Sequence, residues 1–296
     1  MNKFEFHDMT LYFLEGNNFW TDAGRLFGPV PFTIWDKLVY TNDQNQVAQT
    51  CDPILIQYLG KNILIDAAYG MGKLDSKTIQ NEGIVGQNQT LASLERLNIT
   101  PEEIDLILMT HLHNDHASGL SYKIEGKESD YALVYPKAEI LVNRTEWDEI
   151  MSPPPRTKRS YRWDSWWPIR ERVTLWEGYC KPMDGIELFH SKGHSPGHAI
   201  IKLSQGQDLI LHLADHLMSH LHLKPLWVPA VDDFPLDTIQ SKEIWINYGL
   251  KNQAYFTFYH DPDYCLIQYD EHGKEIKQSL LRSKEALAPF SKSVKR

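Results

Sequence analysis

The sequence predicts a layered α/β (α+β) protein, and three observations lead there. Apolar or alternating runs of strand length recur through the 296 residues, at 53–58, 62–66, 104–110, 138–142, 186–190, 199–203, 208–213, 254–259 and 265–269. A helical pattern stands among them at 90–97, where Leu91, Leu94 and Leu97 share one face. A hydrophobic share of 42% over this length suits one large domain or two small ones. Strands mixed with a few helices pack as layers around a common core.

Taken in order, Leu59-Gly60-Lys61 joins the first two runs as a hairpin. The helix follows, and Pro101 opens a short second turn. The run 104–110 is apolar enough for a buried strand. Two segments break the rhythm. The first, 24–40, contains Phe27-Gly28-Pro29-Val30-Pro31-Phe32-Thr33-Ile34-Trp35 and reads as an ordered loop. The second, 152–168, opens with Pro153-Pro154-Pro155 and carries Tyr161, Trp163, Trp166 and Trp167. It reads either as a lid or as a surface insertion packed on its own aromatics.

Composition narrows the function classes. A net charge of -9 opposes nucleic acid as the main partner, because phosphate binding needs a positive field. No run of 18 apolar residues exists, so no membrane span is expected. The first residues lack a signal-peptide pattern, and Cys51, Cys180 and Cys265 are scattered and odd in number, which together suit a reducing cytoplasm. No CxxC pair occurs, so a metal here is expected on nitrogen and oxygen donors.

The chemistry concentrates in His111-Leu112-His113-Asn114-Asp115-His116, an HxHxDH cluster that follows the run 104–110. Each of its imidazoles and its carboxylate is a ligand for a divalent cation. A strand end is where a rigid element positions side chains and a loop lets them converge. Three further candidates also leave apolar runs: His194 in Gly193-His194-Ser195-Pro196-Gly197-His198, Asp215 after 208–213, and His260 after 254–259.

This order resembles the metallo-β-lactamase superfamily over essentially the whole chain. The resemblance implies a four-layer αβ/βα sandwich with two internal mixed sheets and a single domain over 1–296. It implies two divalent ions, zinc by preference, with manganese, cobalt or iron as alternatives. His111, His113 and His194 would hold the first ion. Asp115, His116 and His260 would hold the second, and Asp215 would bridge them. A bridging hydroxide would then be the nucleophile, with Asp115 both ligand and catalytic carboxylate. Asp66, ending the run 62–66, resembles the family's supporting Asp, which orients a ligand imidazole. A Glu in place of His113 would suit a di-iron redox centre, so His113 favours hydrolysis.

The stretches Leu26-Phe27-Gly28-Pro29-Val30-Pro31, Asp52-Pro53-Ile54-Leu55-Ile56 and Pro225-Leu226-Trp227-Val228 are similar to quorum-quenching N-acyl-homoserine lactonases of the YtnP-like branch. Phosphotriesterases share much of the pattern. Some lactonases of the superfamily carry a Tyr shortly after the bridging Asp. Here the sequence reads His216-Leu217-Met218-Ser219-His220-Leu221-His222, with no Tyr, so His220 or His222 is the candidate hydrogen-bond donor or proton shuttle, or else both are structural or solvated. Phe27, Phe32, Trp35, Trp163, Trp166 and Trp167 are the candidates for an acyl-chain groove, or else for a homodimer interface. Two other readings compete: single-strand nucleic-acid binding through Arg156, Lys158, Arg159, Arg162, Arg170 and Arg172 among tryptophans, and metal binding without turnover.

Overall fold

The structure is a computed structural model that describes residues 1–70, 72–126 and 130–294. It comprises two compact units, each assembled from separated stretches of chain.

The first unit, 1–17, 51–81 and 85–178, is built on a seven-stranded mixed sheet. Its order is Asn2–Phe6, Met9–Phe13, Ile54–Tyr58, Lys61–Ile65, Leu106–Leu108, Glu139–Asn143 and Val173–Trp176. The expected hairpin pairs Ile54 with Ile65 and Tyr58 with Lys61. From Lys61–Ile65 onward the strands run parallel. A parallel strand is covered on both faces, so it reads as an unbroken apolar run; Ile107 and Leu108 are fully buried. The expected helix is present as Thr90–Arg96, with Leu94 buried against Leu64 and Ile107 in the core, and Pro101–Glu103 is a single 3-10 turn.

The second unit, 18–50, 82–84 and 179–296, carries another seven-stranded sheet whose strands are neighbours in chain order. The strands Ile186–His190, Ala199–Gln205, Asp208–His212, Tyr255–Thr257 and Tyr264–Tyr269 match the sequence expectation closely. The pairing is antiparallel except between Asp208–His212 and Tyr255–Thr257. That parallel step needs a crossover, and the helix Pro235–Lys251 supplies it. The segment 24–40 departs from the expected loop: Ala23–Phe27 and Phe32–Trp35 are short helices. Asp22 caps the first by accepting from Arg25 N at 3.0 Å, and Gly28, at φ 51°, closes it. Phe27 and Trp35 stack at 5.3 Å in a buried cluster with Trp227.

Among the described residues no helix is long and apolar enough to cross a membrane.

The candidate ligands all sit where strands end. His111 follows Leu106–Leu108, and the loop after Lys61–Ile65 packs directly on the turn behind it. Ala67 N donates to His116 O at 2.8 Å, and Gly119 N to Ala68 O at 2.8 Å. A Cβ on Gly119 would lie 1.8 Å from the Ala67 carbonyl oxygen, so only glycine fits. Gly119→Ala is therefore expected to lower stability by more than about 2 kcal/mol in chemical denaturation. Gly178→Ala, at an open turn with φ 61°, should cost about 1 kcal/mol. Equal losses for the two variants would contradict this packing.

Candidate metal centre

In the first unit one carboxylate organises the HxHxDH turn. Asp66 is fully buried and accepts from Thr110 N at 2.9 Å, Thr110 Oγ1 at 2.7 Å and His116 Nδ1 at 2.8 Å. Thr110 Oγ1 also lies 3.0 Å from His111 Nδ1. The threonine proton is committed to Asp66, so its oxygen accepts from His111. Both imidazoles thus carry their proton on Nδ1 and keep the Nε2 lone pair for a cation. The rings of His111 and His116 lie 4.0 Å apart, and those of His111 and His113 4.6 Å. Asp115 Oδ2 is 3.8 Å from His116 Nε2.

The insertion 152–168 is tied to this turn. Buried Glu146 accepts from Leu112 N at 2.9 Å and from the Tyr161 hydroxyl at 3.1 Å. Asn114 donates to Ser160 O at 2.9 Å and, through its side chain, to Arg159 O at 3.0 Å. The segment is thus bonded to the motif turn, a role that neither reading of it included.

In the second unit Asp215 sits between two imidazoles. Its Oδ2 is 3.1 Å from His194 Nε2, and its Oδ1 is 3.2 Å from His260 Nε2. The far nitrogens are held: His194 Nδ1 by Asp232 at 2.8 Å, and His260 Nδ1 by the Thr50 carbonyl at 2.7 Å. Burial opposes charge on His194, but Asp215 and Asp232 overcome it and raise its pKa to about 10. Two carboxylates around one buried ring make a place that requires a cation.

The donors fit a metal. Two ligands about 2.1 Å from a tetrahedral zinc lie roughly 3.4 Å apart, close to the separations around Asp215. A further group, His220, Asp261 and Asp263, is already engaged internally. There Asp261 accepts from His220 Nδ1, Asp263 N and Tyr264 N.

The other predicted site residues divide. His222 is fully buried, with Nδ1 on Ser219 Oγ at 2.8 Å and Nε2 on Leu26 O at 3.1 Å, and its ring stacks on Phe27. Both nitrogens serve the fold, which corrects its expected role as proton donor. His220 Nδ1 is 2.6 Å from Asp261, and its Nε2 has no hydrogen-bond partner among the described residues. Burial works against its charge, but Asp261 raises its pKa. Phe32, Trp163 and Trp167 are exposed and Trp166 is half-buried. Phe27 and Trp35 lie in the core, which corrects their expected place in a groove. Among the basic residues, Arg162 pairs with Asp164 at 2.5 Å, and Arg170 lies over Trp167 at 4.1 Å. Sequence reasoning missed Asp232; its signal was an acidic pair, Asp232-Asp233, closing an apolar stretch.

Comparison with known proteins follows the same lines. The sequence profile described as the metallo-beta-lactamase superfamily matches residues 49–247. The crystal structure of a probable metal-dependent hydrolase from Staphylococcus aureus is 35% identical, with a TM-score of 0.91, over 95% of this chain and 100% of that one. AidC, a dizinc quorum-quenching lactonase seen with its product, shares the fold at a TM-score of 0.76 and 18% identity, over 96% of this chain and 98% of that one. An N-acyl homoserine lactonase from Bacillus thuringiensis is 24% identical over 46% of this chain and 44% of its own length. The chain spans 57% of the length of a probable metallo-hydrolase from Mycobacterium bovis, again at 24% identity.

Asp66→Asn and Asp232→Asn are expected to weaken metal affinity about 10- to 100-fold, read by chelator competition. Wild-type affinity in both variants would show that these carboxylates do not set the ligand rings.

Proposed function

The chain belongs to the metallo-β-lactamase superfamily, and from that premise we propose that it is a dinuclear metal-dependent hydrolase that opens the lactone ring of N-acyl-homoserine lactones. The two compact units act in this reading as one hydrolase. One observation carries it: the two oxygens of Asp215 face different imidazoles, each pinned from behind. That is what a carboxylate shared by two cations needs. His111, His113 and His194 are assigned to one ion, Asp115, His116 and His260 to the other, and Asp215 to both. When bound, such a pair supplies Lewis acidity toward the ester carbonyl and lowers the pKa of water toward neutrality.

The side chains supply position and proton handling. The rings of His111, His116, His194 and His260 are fixed because acceptors hold their Nδ1 protons. Asp115 is less buried than the imidazoles of its turn, and its carboxylate is the acceptor for the proton that the attacking water gives up. His220, oriented by Asp261, is assigned as donor to the leaving alkoxide. Exposed Phe32, Trp163 and Trp167 are assigned to the acyl chain. The lactonases among the structural neighbours support the substrate class.

Metal analysis coupled to acid release from an acyl-homoserine lactone tests the proposal. Two metal equivalents, ring opening abolished by chelation and restored by metal, and a much slower reaction on a paraoxon-like phosphotriester are expected. Faster phosphotriester turnover would replace the lactone, and inertness toward both would sink the hydrolase. His220→Ala should lower turnover at unchanged metal content. His222→Ala should lower stability, because it strips the support of Leu26 and Phe27. Full turnover in His220→Ala removes that residue from proton transfer.

A further inference from the structure

A cavity of about 600 Å³ opens in the first unit beside the helix Thr90–Arg96, and none of the seven candidate ligands lines it. Leu91, Leu133, Val134 and Tyr122 give it apolar walls. That volume is within the range of small-molecule pockets. Thr90, one of its lining residues, is almost wholly buried yet leaves its hydroxyl without a hydrogen-bond partner among the described residues, and Tyr135, also in the lining, is buried. A buried hydroxyl of this kind usually has an acceptor, and its lack points to a bound water or ligand.

The charges in the lining set the ligand class. Arg172 is exposed and has no ion-pair partner among the described residues. Glu102 is the other charged member, also exposed and unpaired, and it opposes an anion. A ligand with one anionic end suits Arg172 when its hydrocarbon enters the apolar walls and its head group also takes the Tyr135 hydroxyl. Two donors, one of them a guanidinium, match a carboxylate.

We propose that this cavity is a binding site for a small amphipathic carboxylate, an aliphatic chain ending in an acid. It does not depend on the reaction assigned above. Gly119 also lines it, two residues beyond the helix Asn114–Ala117 that carries Asp115 and His116.

Titration calorimetry of the metal-loaded protein with decanoate tests this. Saturable one-to-one binding is expected. Arg172→Ala should weaken it about tenfold, the worth of one charge-assisted hydrogen bond, and decanol should bind correspondingly more weakly than decanoate. Glu102→Gln should not weaken it. Leu91→Trp, at a half-exposed position that tolerates a larger side chain, should block it while circular dichroism stays unchanged. Three results would overturn the proposal: no binding, decanol equal to decanoate, or undiminished decanoate affinity in Leu91→Trp. The last would place the ligand elsewhere, including at the metal centre.

Discussion

The hydrogen bond at Nδ1 is the constraint on which the candidate centre rests. His116 donates to Asp66, His194 to Asp232 and His260 to the Thr50 carbonyl. His111 reaches Asp66 through the Thr110 hydroxyl. A carbonyl or ionised carboxylate only accepts, so each bond dictates the tautomer as well as the ring angle. The orientational entropy of ordering these rings is lost during folding rather than on metal binding, which is what preorganisation means here. One buried carboxylate, Asp66, governs two of the four rings, so its loss is felt at two ligands together.

The backbone bends sharply at the same places. Asp66 and Ala68 adopt left-handed φ values of 55° and 60°, and Ala214, just before Asp215, lies at 45°. Lys192 and Gly193, just before His194, lie at 58° and 93°. A non-glycine residue in this region costs about 1–2 kcal/mol. Nearby hydrogen bonds offset that cost: Asp66 N to Leu108 O, Ala67 N to His116 O and Gly119 N to Ala68 O. The same bends turn the chain out of the strand within one or two residues, which places a ligand at the strand end instead of along a face. Strain at the ligand turns and rigidity in the parallel strands are therefore two aspects of one arrangement.

Much of this was legible in the sequence because the signal was local. Four strands of the first sheet and five of the second announced themselves as apolar or alternating runs, while Asn2–Phe6, Met9–Phe13, Val173–Trp176, Tyr179–Met183 and Ile276–Leu281 went unread; all seven ligand candidates follow runs that were read. The helix Pro235–Lys251 did not announce itself, for a physical reason. Its buried face is Thr238, Ser241, Lys242, Ile246 and Gly249, while Leu236 and Ile244 are exposed. Gly249 allows the Phe256 ring to approach to 2.4 Å of where a Cβ would stand. A helix that packs through small and polar residues has no apolar stripe to read. The helices within 24–40 were hidden differently: four or five residues between Gly and Pro are too few to show a period. Asp232 was invisible as a supporting residue because it meets His194 across 38 positions of sequence.

His220 and His222 show where sequence reasoning stops. They are the same residue type, two positions apart, in one 3-10 turn, and no rule of composition separates them. Their surroundings do. His222 is enclosed by Phe27 and Trp227, and burial, with Lys242 nearby, drives its pKa down to about 3. His220 is nearly as buried, but its one fixed partner is a carboxylate, which favours the protonated ring. A neutral ring held at both nitrogens serves as a structural bridge. A ring held at one nitrogen by an anion retains a second nitrogen that is still able to exchange a proton. The difference lies in Asp261 and Leu26, distant in the chain and brought to this turn only by folding, so it is the tertiary fold that separates the two roles.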